Sequence, residues 1–285
     1  MNSEYNFKRL VLKIVVDIFC LMAVCIPILI FFVAGKPYER GFYCDDESLR
    51  HPYLDSTVPS WMLYTVGLGL PISVILVIEF LTYQNSSDSR IKRKIMSKKI
   101  PNWIWECYRH IGIFGFGAGC SQLTTDIAKY TIGRLRPHFF DVCRPDINCT
   151  DPKYKNIYIE NFNCQQKNQK LLKDMRLSFP SGHSSFSAYC MIFLAMYLQY
   201  KLTWKGSKLF KHVLQYTCLS LAFYTALTRI SDYKHHWSDV LAGSIQGTVV
   251  AILIVVYASD IASATTFKLT KNSSYNDGIN MGNAL

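Results

Sequence analysis

The chain has 285 residues, of which 50% are hydrophobic and only 18% are charged, and it carries a formal net charge of +11. Its apolar residues are gathered into long blocks, which argues against an ordinary soluble domain. The positive charge is segregated into particular connections between those blocks, so we interpret it as a signal of membrane topology and expect no nucleic-acid partner.

Six apolar blocks follow one another along the chain, and most approach the ~20 residues that cross a bilayer as a helix. Backbone groups inside lipid must satisfy their own hydrogen bonds, so we predict that the blocks are helical. The fourth and fifth blocks are the shortest. The predicted fold is an all-α integral membrane protein with six transmembrane helices, at roughly 10–35, 58–83, 104–128, 184–200, 211–228 and 237–259.

The connections between the blocks differ in charge. The connection at 84–103 carries six Lys and Arg residues against one acidic residue, and further lysines occur in 201–211 and near the N-terminus. The first connection, 36–57, is acidic instead. Because Lys and Arg collect on the cytoplasmic side of membrane proteins, we predict that 84–103, 201–211 and both termini are cytoplasmic.

The two ends of the chain differ in character. The N-terminal apolar block is too long for the core of a signal peptide and lacks a clear cleavage site, so we interpret it as an uncleaved first helix. Residues 1–262 are predicted to form one six-helix transmembrane domain. The segment 263–285 is polar and rich in Ser, Thr, Asn and Gly, which predicts a disordered cytoplasmic tail.

The 10 cysteines fall into two groups. Six lie within apolar blocks, where a small buried hydrophobic side chain is the default interpretation. The other four lie in connections assigned to the outer side, where an oxidising compartment favours disulfides. Four thiols allow three pairings, and the sequence does not choose among them. These four are Cys44, Cys143, Cys149 and Cys164.

The chain contains three glycosylation sequons. The one at Asn148 lies in a connection assigned to the outer side, and we predict that it is glycosylated. Those at Asn85 and Asn272 lie on the predicted cytoplasmic side, where they would remain unmodified.

The first motif follows the third apolar block. We expect its helix to continue to about residue 135, so that Lys129 and Arg136, seven residues apart, share a face until Pro137 ends the helix. Arg134 would point away as a solvated or headgroup charge, and Asp126 would form a local ion pair with Lys129. The alternative for Lys129 and Arg136 is that they merely snorkel to the interface.

The second motif, Pro180-Ser181-Gly182-His183, comes directly before the fourth apolar block. Ser and Gly allow a tight turn whose N–H groups approach an anion, and the following helix adds its positive N-terminal end. His183 would then stand beside a bound phosphate. The alternative is that His183 only borders the helix.

The third motif spans the end of the fifth block and the start of the sixth. Arg229 adds a third cation, and Thr228 a hydroxyl. His235 and Asp239 are four residues apart, so on one helical face the carboxylate could hold one ring nitrogen and leave the other as a nucleophile. The remaining polar residues are interpreted as a bystander or as loop charges, namely His236, Asp232 and Lys234.

All three motifs lie in connections that the charge pattern assigns to the outer side. That assignment uses none of the motif residues, so the agreement makes three weak patterns into one strong signal. Together they supply cations, histidines, a carboxylate and an anion-binding turn. Such a set can bind a phosphoryl group, attack it and protonate what leaves.

These motifs resemble those of the lipid phosphate phosphatases, the type 2 phosphatidate phosphatase family. The matching stretches are KYTIGRLRP at 129–137, PSGH at 180–183 and TRISDYKHHWSD at 228–239, and the similarity extends to GKPYERGFYCDDES at 35–48. The family usually has Ser where this chain has Thr228, which keeps the hydroxyl.

The resemblance implies a role for each site residue. His235 would attack phosphorus, Asp239 would orient it, and His183 would protonate the leaving oxygen. The family requires no metal, so neither a metal nor another cofactor is expected. The phosphate oxygens would be held by Lys129, Arg136, Ser181, Gly182 and Arg229.

The implied function is metal-independent hydrolysis of lipid phosphate monoesters through a phosphohistidine. The implied substrates, which are also the expected partners, are phosphatidate, lysophosphatidate, sphingosine 1-phosphate and ceramide 1-phosphate. The expected location is the plasma membrane, with the catalytic connections extracellular or lumenal, and a homo-oligomer is left open. Two alternatives are a lipid phosphotransferase of the sphingomyelin synthase type and a non-catalytic membrane scaffold.

Overall fold

The structure is a computed structural model that describes residues 2–85, 92–95, 98–202 and 206–259. The predicted tail, 263–285, and the sequon at Asn272 lie outside the described residues.

The described part of the chain is mostly helical, which confirms the predicted helical character of the six blocks. Its helices are α1 (Asn2–Ala34), α2 (Ser60–Asn85), α3 (Asn102–Ile132), α4 (Phe139–Cys143), α5 (Gln169–Asp174), α6 (Gly182–Lys201), α7 (Lys208–Ser231) and α8 (Trp237–Leu253), the last continued by a π-helical turn, Ile254–Ala258. Two short antiparallel strand pairs were not predicted. They join β1 (Phe42–Tyr43) to β4 (Tyr158–Ile159) and β2 (Lys92–Ile95) to β3 (Lys98–Pro101).

Within the described ranges, three helices are long and apolar enough to cross a membrane, namely Lys8–Ala34, Ser60–Asn85 and Trp237–Ala258. Helices α3, α6 and α7 correspond to the other three predicted blocks. Polar side chains reduce the hydropathy of α3 and α6, and several of them, such as His110 and Ser185, are buried between helices. Six crossings and two cytoplasmic termini therefore stay a prediction.

Helix α6 is the centre of the bundle and packs against α2, α3, α7 and α8. Its aromatic side chains Tyr189 and Phe193 are fully buried and contact Phe114 of α3, whose carbonyl accepts a 2.8 Å hydrogen bond from the Tyr189 hydroxyl. Gly243 and Gly247 of α8 lie against the Ser181 and Ser185 carbonyls, where any Cβ would overlap them. Small residues four apart thus let α6 and α8 approach closely.

A second, smaller core lies outside the bundle, among the connections at the end that carries the three motifs, and we call it the outer core. It contains Phe42, Phe139 and Met175, which are all at most 2% exposed. Two disulfides close it, and they select one of the three pairings that the sequence left open: Cys44–Cys149 and Cys143–Cys164.

Helix α3 ends earlier than predicted. Gly133 adopts a left-handed conformation, with φ 61°, and its N–H bonds to the Lys129 carbonyl, so the helix stops at Ile132. Only glycine takes this conformation at little cost. The prediction that Lys129 and Arg136 share a helical face is therefore wrong, because Arg136 lies beyond the helix in the outer core.

The close contact of α6 and α8 can be tested with a matched pair of glycine substitutions. Gly247→Ala should destabilise the protein by about 1–3 kcal/mol, because the new methyl group would overlap the Ser185 carbonyl. Gly115→Ala is the control, since a Cβ there meets nothing within 4 Å, and it should be neutral or stabilising by up to about 1 kcal/mol. Thermal unfolding in detergent measures both. Equal melting temperatures for the two variants would contradict the packing described.

Candidate active site

The structure brings the three motifs together where α3 ends, α6 begins and α7 connects to α8. The Ser181 N–H donates to the Asp239 carbonyl at 3.0 Å, which joins the second motif to the third. Lys129 reaches the first turn of α6, where a Cβ added to Gly182 would lie 3.3 Å from Nζ. The absence of a side chain at Gly182 therefore lets an ammonium group approach the helix terminus.

Arg136 is buried, and part of its guanidinium is unused. Its Nη2 donates to Asp174 at 2.7 Å, and its backbone N–H donates to the Met175 carbonyl at 2.8 Å. Its Nε is buried without a hydrogen-bond partner among the described residues. Buried donors are almost always paired, so this N–H indicates a place for an acceptor that the chain does not supply.

Arg229 is the most enclosed of the three cations, with 1% of its surface exposed. Its guanidinium donates to Asp232 at 2.8 Å, to Ser56 at 3.3 Å and to the Thr228 hydroxyl at 3.3 Å. The interpretation of Asp232 as a loop charge is wrong. It is buried, and it fixes Arg229 because an arginine removed from water needs an anionic partner.

His235 is buried, and a single contact fixes the tautomer of its ring. Its Nδ1 lies 2.7 Å from the Ser178 carbonyl, which can only accept, so Nδ1 carries the hydrogen. The other ring nitrogen, Nε2, is then an unprotonated electron-pair donor. Burial, together with the charges of Arg136 and Lys129, holds the pKa of His235 well below its usual value, so the ring is neutral at physiological pH.

The prediction that the Asp239 carboxylate directly holds a ring nitrogen of His235 is wrong. Its carboxylate is 3.9 Å from His235 Nδ1 and instead accepts from the Ser178 hydroxyl at 2.6 Å. Ser178 therefore stands between them, because its hydroxyl binds Asp239 and its carbonyl binds His235. The serine was missed at the level of sequence, since it lies just before the Pro180-Ser181-Gly182-His183 motif and belongs to no recognised pattern.

Two residues to which the sequence analysis gave no role in the site, Arg134 and His236, also bind Asp239. Arg134 donates to it at 2.5 Å, and the backbone N–H of His236 donates at 3.1 Å, with the His236 ring at 3.2 Å. Because α3 has already ended, Arg134 is not confined to the solvent-facing side of a helix. The interpretations of Arg134 as a solvated charge and of His236 as a bystander are therefore wrong.

His183 lies in the first turn of α6, with Ser181 as the N-cap. Its Nε2 donates to the Val58 carbonyl at 3.1 Å, which leaves Nδ1 to exchange a proton. Burial, with the charges of Arg229, Lys129 and Arg136, lowers the pKa of His183 to about 3. A bound anion would oppose the effect of those cations and raise this pKa.

A segment of the connection between α1 and α2, residues 51–58, contacts parts of all three motifs, and we call it the outer strap because it lies outside the helical bundle. Its C-terminal half carries most of the polar contacts. Ser56 binds Arg229, the Val58 carbonyl binds His183, and Thr57 binds Asp232 twice, through its N–H at 2.8 Å and its hydroxyl at 2.7 Å. The sequence predicts only an acidic connection here, because no motif marks these residues.

The N-terminal half of the strap packs on aromatic and charged side chains. His51 stacks on Tyr233 with 4.3 Å between ring centroids, and Lys234 Nζ lies 3.6 Å above the Tyr53 ring. Lys234 is only 5% exposed, so its interpretation as a loop charge is also wrong. Burial and neighbouring cations, first Arg136, lower the pKa of Lys234 to about 8.

The arrangement has the chemistry of an oxyanion site with a nucleophile and a proton carrier. Three cations surround a helix N-terminus, and each of two histidines has one ring nitrogen fixed by a backbone carbonyl. Such groups stabilise a phosphoryl group by charge and position. Within the described ranges, no group of three His, Cys, Asp or Glu side chains is placed to hold a metal ion.

Comparison with known proteins agrees with this chemistry. The family model of the PAP2 superfamily matches residues 110–262. A putative phosphatidate phosphatase of Drosophila melanogaster is 50% identical over 266 residues, covering 89% of this chain and 70% of its own length. Phospholipid phosphatase 1 of Rattus norvegicus is 44% identical over 255 residues, covering 88% and 86%, and phospholipid phosphatase 2 of Homo sapiens is 41% identical over 254 residues, covering 88% and 84%. No solved structure matches the chain.

Proposed function

The chain belongs to the PAP2 superfamily and is a lipid phosphate phosphatase, and we propose that it hydrolyses lipid phosphate monoesters through a phosphohistidine on His235. The observation that carries this mechanism is the 2.7 Å contact between His235 Nδ1 and the Ser178 carbonyl. It presents Nε2 as a neutral nucleophile in a site that otherwise contains cations.

Substrate binding uses those cations. The phosphate oxygens are held by Lys129, by the unpaired Nε of Arg136 and by Arg229, with the backbone N–H groups of the first turn of α6 completing the site around Ser181 and Gly182. The negative charge of the phosphate offsets the mutual repulsion of the cations. It also raises the pKa of His183, so that this ring gains a proton when substrate is bound.

In the first chemical step, Nε2 of His235 attacks phosphorus. The N–P bond forms as the bond between phosphorus and the lipid oxygen breaks, and protonated His183 gives its proton to that oxygen. The products are phosphohistidine and a lipid alcohol. Alkoxides are poor leaving groups, so this proton transfer matters more for a lipid than for an aryl phosphate.

In the second step, water attacks the phosphohistidine. His183, now neutral, takes a proton from the water while the water oxygen forms a bond to phosphorus. The N–P bond breaks at the same time, which restores His235. Inorganic phosphate then leaves. Asp239 acts as a positioning residue throughout, because it holds the Ser178 hydroxyl and thereby the carbonyl that sets the His235 tautomer.

We propose that lipid substrates reach the site from one leaflet, which is supported by the position of the three motifs at one end of the helical bundle. We infer six crossings, cytoplasmic termini and a site on the extracellular or lumenal face of the plasma membrane, with Asn148 glycosylated on that face. Asn148 is exposed, and its side chain accepts from the Thr150 hydroxyl at 2.7 Å. The proposed substrates are phosphatidate, lysophosphatidate, sphingosine 1-phosphate and ceramide 1-phosphate, and no metal is required.

Phosphate release from lysophosphatidate in excess EDTA tests the proposed function. The purified protein should release inorganic phosphate and monoacylglycerol in equal amounts at a rate that the chelator does not change, because the site neutralises phosphate with side-chain cations. His235→Ala should abolish release. Activity that is lost in EDTA and restored by magnesium would contradict the proposal, as would transfer of the phosphate to a second lipid.

The outer strap generates a separate prediction about His183. Thr57→Val removes the hydroxyl that binds Asp232, and so loosens the neighbouring Val58 carbonyl that orients His183. We expect kcat/KM for lysophosphatidate to fall about tenfold, in line with the loss of one hydrogen bond to a charged group. Hydrolysis of 4-nitrophenyl phosphate should change less than about twofold, because its leaving group hardly needs a proton.

Thr65→Val is the matched control for that variant. The Thr65 hydroxyl binds the Trp61 carbonyl within its own helix, so its removal should leave both substrates unaffected. If Thr57→Val slows both substrates by the same factor, the strap does not act through the proton-donating histidine.

A further inference from the structure

A cleft of about 470 Å³ opens beside the candidate active site, where α1, α2 and α3 meet at the end of the bundle that carries the motifs. Its α1 wall includes Leu29 and Phe32, which are 60% and 78% exposed on a surface that we place in the bilayer. Its other walls include Tyr64 of α2 and Gln122 and Asp126 of α3. The cleft is therefore apolar on one side and polar on the other.

Asp126 is the carboxylate of this cleft, and it is only partly satisfied. The Gln122 amide donates to its Oδ1 at 3.0 Å, and Oδ2 has no described partner. The ion pair predicted between Asp126 and Lys129 is not among those that the structure contains. A carboxylate within a predicted span is costly unless donors meet it, which makes a ligand donor at Oδ2 a physical expectation.

The polar wall lies next to the phosphate site. Asp126 precedes Lys129 by three residues on α3, which places their Cβ atoms about 5–6 Å apart. Gln122 precedes Lys129 by seven residues and lies on nearly the same face. On the other side of the cleft, the ring centroids of Tyr64 and Phe186 lie 5.0 Å apart. Phe186 follows His183 by about one turn of α6. A lipid whose phosphate binds Lys129 would therefore bring its next polar atoms to Asp126.

We propose that this cleft binds the glycerol or sphingoid backbone of the substrate, next to the phosphate. Asp126 Oδ2 accepts a hydrogen bond from a hydroxyl or ammonium group of that backbone. The first methylene groups of the acyl or alkyl chain lie against Leu29 and Phe32. The inference rests on the proposed function, because it takes the phosphate to be bound at Lys129.

The proposal makes Asp126 a determinant of substrate preference. Sphingosine 1-phosphate offers an ammonium and a hydroxyl group near the phosphate, and lysophosphatidate offers a free hydroxyl. Phosphatidate has both glycerol hydroxyls esterified and offers no donor. A hydrogen bond to a charged acceptor is stronger when the donor is also charged, so the order of dependence on Asp126 follows donor strength.

Asp126→Asn tests the donor preference in vesicles that contain each lipid with the same acyl or alkyl length. Relative to phosphatidate, kcat/KM should fall about tenfold for lysophosphatidate and more for sphingosine 1-phosphate. Hydrolysis of 4-nitrophenyl phosphate should fall less than hydrolysis of either lipid, because this substrate offers no donor to Asp126 and is affected only by the loss of a charge near Lys129. Asp17→Asn is the matched control, because Asp17 is also a carboxylate within an apolar helix but binds Tyr108 away from the cleft.

Occupancy of the cleft is tested by filling it. Leu29→Trp should slow all long-chain lipid phosphates by about tenfold or more and leave 4-nitrophenyl phosphate unaffected, because the indole would occupy the chain-binding space. Leu12→Trp places the same group on an exposed part of α1 outside the cleft and should have no effect.

The outcomes separate this inference from the proposed function. If wild-type protein hydrolyses all three lipids and Asp126→Asn lowers them equally or not at all, the donor site is overturned while the phosphatase function stands. If Leu29→Trp leaves lipid turnover unchanged, the cleft does not bind the chain. Failure of the wild-type protein to release phosphate from any lipid would overturn the proposed function itself.

Discussion

The buried carboxylate of Asp239 is the interaction on which the site depends. It is fully buried, and a charge removed from water is tolerated only when donors surround it. Those donors come from three parts of the chain: Arg134 from the first motif, Ser178 from the stretch before the second, and His236 from the third. The Asp239 backbone carbonyl also accepts from Ser181. One residue therefore fixes the relative positions of all three motifs.

The cations impose the opposite constraint. Lys129, Arg136 and Arg229 converge at the start of α6, and their mutual repulsion must be balanced until substrate arrives. Asp174 and Asp232 each take one arginine, whereas the Arg136 Nε stays unpaired. The disulfide-closed outer core and the outer strap hold these partners in place. The site is thus organised for a phosphate before one binds, and such preorganisation is the main source of catalysis in phosphoryl transfer.

The sequence predicted the helices and the identity of the motifs, because long apolar blocks and charged residues beside them are local signals. It failed where the answer depended on a contact between distant residues. Helical spacing placed Arg136 on the face of Lys129, but the left-handed Gly133 had already ended the helix. The four-residue spacing also predicted a direct contact between Asp239 and His235, whereas in the folded protein Ser178 lies between them and binds both. No motif marks the outer strap, since its polar groups acquire roles only through partners that are distant along the chain, such as Asp232 and His183.

The proposed mechanism requires that the His235 Nε2 atom forms a covalent bond to phosphorus, which is possible because the Ser178 carbonyl binds Nδ1 and leaves Nε2 unprotonated. Rapid-quench trapping with lysophosphatidate that carries a radiolabelled phosphate detects this covalent intermediate. We expect an acid-labile, alkali-stable phosphohistidine that maps to His235 and is absent from His235→Ala. With radiolabelled 4-nitrophenyl phosphate as the donor, the same phosphohistidine should accumulate in His183→Ala. A phosphoenzyme that persists in His235→Ala and maps to His183 would contradict the proposed mechanism.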